Sequence, residues 1–208
     1  MDSAAPRIAI CGAGISGLTL AGILSRALVG ADGAKITVYE RAGADRDQGY
    51  GLDLNEFGQE ALARAGVYHR YWEVSRQQSD KMCFMHPSKF EPLAVSYTPR
   101  WLVDLFPGLG GTKYAARPES NREKLRDVLL DALAEHGNAE VLFDTAVMGI
   151  RELPGPDGSA AELLDEHGGS FGEFDLVVDA MGLHSKLRQH RVDDPVGIHY
   201  GTYTSPPP

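Results

Sequence analysis

Ile8-Ala9-Ile10-Cys11-Gly12-Ala13-Gly14-Ile15-Ser16-Gly17 is the stretch whose reading decides the fold. Its short apolar run predicts a buried parallel strand. The Gly-x-Gly-x-x-Gly pattern then opens into Leu18-Thr19-Leu20-Ala21-Gly22-Ile23-Leu24, a sequence suited to a helix. Strand, tight turn and helix follow in the order that a dinucleotide site requires. Gly12 allows the turn out of the strand, Gly14 lets backbone approach a pyrophosphate, and Gly17 lets the helix pack close on the strand. The anion is then expected on free amides at the positive end of the helix.

A Gly-rich turn before a helix is weak evidence alone, and a βαβ unit without a ligand is the plain alternative. Lys35-Ile36-Thr37-Val38-Tyr39-Glu40 strengthens the dinucleotide reading, because a second strand ends on an acid. Glu40 lies roughly 20 residues beyond the motif, where a carboxylate meets an adenosine ribose hydroxyl.

The 208 residues are 43% hydrophobic and 24% charged, the balance of a globular protein with a real core. A formal net charge of -9 argues against nucleic acid or an anionic membrane as the main partner. The two cysteines, Cys11 and Cys83, read as small apolar fillers rather than a disulfide framework. Nothing resembles a signal peptide and no apolar run is long enough to span a bilayer, so the expected location is the cytoplasm.

Further along, residues 42–51 read as a polar loop whose Arg46, Asp47 and Gln48 suggest a ligand-facing segment. Asp53 is either a helix N-cap or a functional acid, ahead of a short helix over 56–65 that Gly66 stops. Tyr68 to Val74 adds a helical turn or two. From Lys81 to Leu105 short apolar segments broken by prolines predict inserted antiparallel strands. Met82, Phe84, Met85, Phe90, Tyr97 and Trp101 there suit either an apolar pocket or ordinary core.

Ser120 and Glu123 form a capping box for an amphipathic helix over 121–136, stopped by Gly137. Arg122 falls in its first turn, where a cation is disfavoured; an anionic ligand nearby or simple solvation would account for it. Val141-Leu142-Phe143 and Phe174 to Ala180 predict third and fourth buried strands. Between them, Val147 to Leu153 and Ala161 to Leu164 flank a Pro-Gly hairpin signal. No Ser/His/Asp triad and no metal cluster stands out, and Asp179 with His184 reads as structural or cofactor-adjacent rather than as an acid/base pair.

Three separated motifs now agree. Gly12 to Gly17 with Glu40-Arg41, Asn121-Arg122-Glu123-Lys124-Leu125-Arg126, and Asp175 to Arg188 together resemble single-component FAD-dependent monooxygenases of the aromatic hydroxylase type. Gly51-Leu52-Asp53-Leu54 and the Gly58 to Gly66 stretch look especially like the branch that includes the tetracycline-inactivating monooxygenases. The resemblance implies a Rossmann-like α/β FAD-binding domain over 1–80 and 112–191, with 81–111 and 192–208 as a partial substrate-binding segment.

It also implies roles. Gly12, Gly14, Ser16 and Gly17 would approach the FAD pyrophosphate, Glu40 would take the adenosine ribose and Arg41 would lie along the adenine. Arg122 would reach the phosphate or ribityl region, Asp53 would lie near the isoalloxazine ring, and Gly182 would belong to the third cofactor motif. Met181 departs from the family, which normally has an aspartate before that glycine, and a thioether cannot replace a carboxylate that accepts hydrogen bonds.

Family members also continue to a Gly-Asp motif and helix that bind the flavin, so a complementary C-terminal polypeptide or a homo-oligomer is the expected partner. The expected function is oxygenation of a small aromatic or polyketide-like substrate with NAD(P)H and O2. A non-catalytic flavoprotein-like partner is the alternative. An NAD-dependent dehydrogenase is disfavoured, because no hydride-transfer constellation follows the fingerprint.

Overall fold

The computed structural model describes residues 5–29, 33–46, 51–76, 82–86, 88–89, 91–96, 118–154 and 160–190. The chain begins with β1 (Arg7–Cys11), α1 (Ile15–Ala27), β2 (Lys35–Tyr39), β3 (Leu52–Asp53), α2 (Glu56–Arg64), α3 (Tyr68–Val74) and β4 (Ser75–Arg76). It continues with β5 (Met82–Met85), β6 (Pro92–Ser96), β7 (Glu119–Ser120), α4 (Arg122–His136) and β8 (Ala139–Leu142). A meander of β9 (Gly149–Leu153), β10 (Ala160–Leu164) and β11 (Ser170–Phe174) leads to β12 (Leu176–Asp179) and two short 3-10 turns, Gly182–His184 and Leu187–His190.

The expected α/β architecture is present. β1 pairs in parallel with β2 on one side and β12 on the other, and β8 adds beyond β2, giving the order β12-β1-β2-β8. Because successive strand residues face opposite sides, β1 serves two cores. Ile8 and Ile10, with Ile36 and Val38 of β2, pack under α1 and α4 against Leu18, Ala21, Leu125, Leu129 and Leu133. Ala9 and Cys11 face the other way, into a second core with Tyr39, Val147, Leu163, Phe174 and Leu187. The three-stranded meander β9-β10-β11 supplies that layer. Tyr39 meets Phe174 edge-on with ring centroids 6.0 Å apart and Phe171 at 5.3 Å.

Several elements differ from the sequence expectation for identifiable reasons. Asn121, not Ser120, caps α4, its Oδ1 accepting from Lys124 N at 3.2 Å. Ser120 is held in β7, whose backbone pairs with both β3 and β4, so it cannot turn into a cap. Asp53 is likewise a strand residue opposite Glu119, and Asn55 caps α2 through Gly58 N at 2.9 Å.

The strand expected over 174–180 is two strands. Phe174 ends β11, and Asp175 reverses onto Arg7, whose amide donates to the Asp175 carboxylate at 2.7 Å while Asp175 N donates to Arg7 O at 2.9 Å. β8 and β12 are edge strands rather than buried ones, so Leu142 and Leu176 keep 38% and 48% of their surface. The hairpin expected around 154–159 is the antiparallel pair β9 and β10, and the inserted strands are the pair β5 and β6. The aromatic and methionine side chains considered there as a pocket lie outside the described residues.

One strap has no sequence signature. Asn138 follows the left-handed Gly137 and donates to the carbonyls of Ser25 at 3.1 Å and Leu28 at 3.4 Å. It also accepts from the Ser25 hydroxyl. These contacts satisfy carbonyls left open at the end of α1 and tie that helix to the start of β8.

A Cβ built on Gly17 would lie 2.0 Å from Gly12 O, a backbone atom with nowhere to go. Gly17→Ala is therefore expected to lower unfolding free energy in urea by about 1–3 kcal/mol. Asn121→Ala is expected to cost ~1 kcal/mol through loss of its cap alone.

Candidate functional site

In an open parallel sheet, ligands gather at the carboxyl ends of the strands. There the chain leaves β1 through Gly12, whose φ of +113° is natural only to glycine and whose amide donates to Tyr39 O at 2.7 Å. A cavity of about 350 Å³ opens at this edge. Gly12, Gly14, Glu40, Arg41 and Arg46 line one side, with Thr145 to Met148 and Ala180, Met181, Gly182 and Lys186 around the rest. The structure thus brings together the glycine turn, the acid ending β2 and the third motif.

The start of α1 differs from its neighbours. α2 and α4 each carry an asparagine cap and a glutamate in the first turn. α1 has Gly14 at its N-cap, no side-chain cap and no acid in its first turn. Its first-turn amides are thus left to whatever occupies the cavity. A Cβ added at Gly14 would meet nothing within 4 Å, so the space over that turn is open. Ser16 is exposed in the same turn.

Not every amide of the glycine turn is free. Ala13 N donates to Glu40 Oε2 and Ala42 N to Glu40 Oε1, both at 2.9 Å. The carboxylate is pinned between the glycine turn and the loop after β2, and its remaining lone pairs stay available at the rim. Arg41 and Arg46 are exposed on that loop.

The third motif is shaped by Asp179. Its carboxylate accepts from Met181 N at 3.1 Å and from the Ser185 hydroxyl. Ser185 Oγ in turn accepts from Leu187 N at 3.1 Å and Arg188 N at 3.3 Å, and Arg188 Nη2 donates to Gly182 O at 2.8 Å. This clamp presents Met181, Gly182 at φ +72° and Lys186 to the cavity. Met181 also packs against the second core and gives the cavity an apolar patch. Asp179 is occupied in holding the turn; the His184 side chain lies outside the described residues.

Asp53 and Arg122 are exposed on β3 and the first turn of α4, and neither is among the described residues lining the cavity. Sequence reasoning missed two contributors to the lining, Lys186 and the Thr145 to Met148 segment, and also a buried cation behind the loop after β2, Arg126. Arg126 is 5% exposed, donates from Nη1 to Ala44 O at 2.8 Å and lies 5.0 Å from the Phe143 ring centroid. The signal was a cation beside Leu125 and Leu129 on the apolar stripe of the helix. Among the described residues no group of three or more His, Cys, Asp or Glu is placed to hold a metal.

A family profile described as "FAD binding domain" matches residues 6–197. The chain belongs to that family. This FAD-binding domain is 28% identical over 192 residues to 3-amino-4-hydroxybenzoate 2-monooxygenase PtmB3 of Streptomyces platensis, covering 91% of the chain and 42% of that protein. The crystal structure of tetracycline destructase Tet(51) superposes with a TM-score of 0.61 at 22% identity over 91% of this chain and 42% of its own. CtdE in complex with FAD and a substrate gives 0.63 at 20% identity over 87% and 39%. The chain thus spans about two-fifths of the length of the curated relative, and the solved structures share its fold.

Cys11 lies beneath the site, and burial together with the nearby Asp179 carboxylate pushes its thiol from 9.0 up to about 12. A raised value favours the protonated fold, so this contribution to stability is complete below pH 9.0 and is lost as pH climbs toward about 12. At mildly alkaline pH, iodoacetamide is expected to label Cys11 only at the rate of unfolding. Peptide mapping by mass spectrometry checks this; fast labelling of folded protein contradicts it.

Proposed function

We propose that this chain is the FAD-binding module of a flavin monooxygenase that oxygenates a small aromatic or polyketide-like substrate with NAD(P)H and O2. The observation that carries the reading is the bare start of α1: an uncapped, acid-free helix terminus with open space over Gly14, facing a cavity beside a pinned glutamate. The charge suits a diphosphate, since Arg41, Arg46 and Lys186 outnumber Glu40 around the cavity.

In this reading the first-turn amides of α1 receive the diphosphate, with Gly12, Gly14 and Gly17 making room and Ser16 at its edge. Glu40 accepts from the adenosine ribose hydroxyls, Arg41 lies along the adenine, and Gly182 keeps backbone close to the cofactor. Bound FAD supplies the redox chemistry. The chain's own residues bind and orient it and keep water from one side of it. Arg122 and Asp53, outside the described cavity, contribute where the flavin end extends. The rest of the substrate machinery and of the flavin site belongs to the length of the relatives that this chain does not match, joined to it or held by a complementary polypeptide or second copy.

The placing of the FAD-binding domain over 1–80 and 112–191, with a substrate segment over 81–111 and 192–208, belongs to the same proposal. So does a cytoplasmic location; among the described residues no helix is long and apolar enough to cross a membrane. A second reading, a non-catalytic relative that keeps the fold and binds another protein, is favoured by Met181. It puts a thioether into the cavity wall where the family pattern has a hydrogen-bond acceptor.

Titration of the purified chain with FAD, followed by flavin fluorescence and the visible spectrum, separates the two. Saturable binding supports the module, and a protein that takes up neither FAD nor its ADP portion sinks it. Gly14→Val should cost no more than ~1 kcal/mol in urea stability, the loss of a better N-cap residue, because a Cβ there meets nothing within 4 Å. The same variant should weaken FAD binding at least tenfold, about 1.4 kcal/mol. Unchanged FAD affinity in that variant would place the cofactor elsewhere.

A further inference from the structure

Arg126 has no part in the contacts assigned to the cofactor, yet its placement asks for one. The guanidinium is buried, and its Nε and Nη2 have no hydrogen-bond partner among the described residues. Its one bond goes to a neutral carbonyl, Ala44 O, and no carboxylate pairs with it among the described residues. An arginine keeps its charge throughout the physiological range, so this is a buried positive charge without a carboxylate counter-charge among the described residues.

Its neighbours show where that charge is felt. Ala44 belongs to the loop that carries Arg41 and Arg46 into the cavity, and Phe143, under the guanidinium, leads into Thr145, whose amide donates to Glu40 O at 2.9 Å. Arg126 therefore sits behind the wall where both segments meet. A buried charge acts through a medium of lower effective dielectric than the exposed Arg41 and Arg46, so its field is screened less.

We propose that Arg126 is an electrostatic positioning residue of the cavity, whose unneutralised charge is balanced by the diphosphate of the bound dinucleotide. The inference rests on the FAD reading above and adds a residue that reaches the ligand through its field and through the Ala44 loop. It accounts for two observations together: a cation the fold leaves unpaired, and its location against the loops that form the site.

R126M and R126Q provide the test, the glutamine keeping an N–H donor for Ala44 O without the charge. In the absence of ligand both are expected to melt at or above the wild-type temperature, since an unpaired buried charge is removed. ADP and FAD should bind at least tenfold more weakly to both, adenosine should bind as to wild type, and R126K should recover most of the ADP affinity. A lowered melting temperature with unchanged ADP affinity would make Arg126 a structural residue and overturn the proposal. Equal losses for ADP and adenosine would also overturn it, because the loop and not the charge would then be at work. If wild type binds FAD and R126Q binds it equally, only this inference fails; if wild type binds neither FAD nor ADP, the cofactor reading fails as well.

Discussion

The structure depends on a single close approach, the start of α1 against the turn that leaves β1. Gly17 lies so near Gly12 O that even a methyl group would overlap it, and a Cβ on Gly12 would come within 2.6 Å of Ala180 O. Two glycines thus let a helix and two strands converge at one point. Gly12 N reaches Tyr39 O and Ala180 N reaches Cys11 O, so the same point fixes the registers of β2 and β12 about β1. This packing carries the start of the helix to the carboxyl edge of the sheet, where its N-cap Gly14 lines the cavity.

Around that point the protein uses polar groups in two ways. Some are spent on shape: Glu40 clasps the glycine turn to the loop after β2, Asp179 and Ser185 fold the turn after β12, and Asn138 straps α1 to β8. Each satisfies backbone groups that the packed elements leave open, which would otherwise be costly to bury. Others are left unspent: the amides of α1, the outer lone pairs of Glu40 and two nitrogens of Arg126. Around the cavity itself Arg41, Arg46 and Lys186 outnumber Glu40, so the charge of its described lining is positive.

The meander on the far face explains why β1 alternates isoleucine with alanine and cysteine. Large side chains fill the gap to the helices, whereas Ala9 and Cys11 leave room for the rings of Tyr39, Phe171 and Phe174. That second layer also buries Cys11 beneath the site and turns Met181 inward to complete an apolar wall. A thioether there suits the packing of the layer.

By itself the sequence determined the βαβ unit, the acid ending its second strand, the α4 helix, the hairpin and the motif after β12. These are local: the spacing of apolar residues and the places where only glycine can turn suffice to specify them. What only the tertiary structure decided was non-local. Ser120 looked like a cap until its pairing with two strands made it a strand residue, and Asp53 gives up the cap of α2 to Asn55 because it pairs with Glu119 of β7. Lys186 and Thr145 meet Glu40 only because parallel strands bring their carboxyl ends together, and Arg126 is buried only because the loop after β2 folds over it. Spacing along a chain records which residues share a helix face or a turn; which distant loops close over a charge depends on how the layers stack.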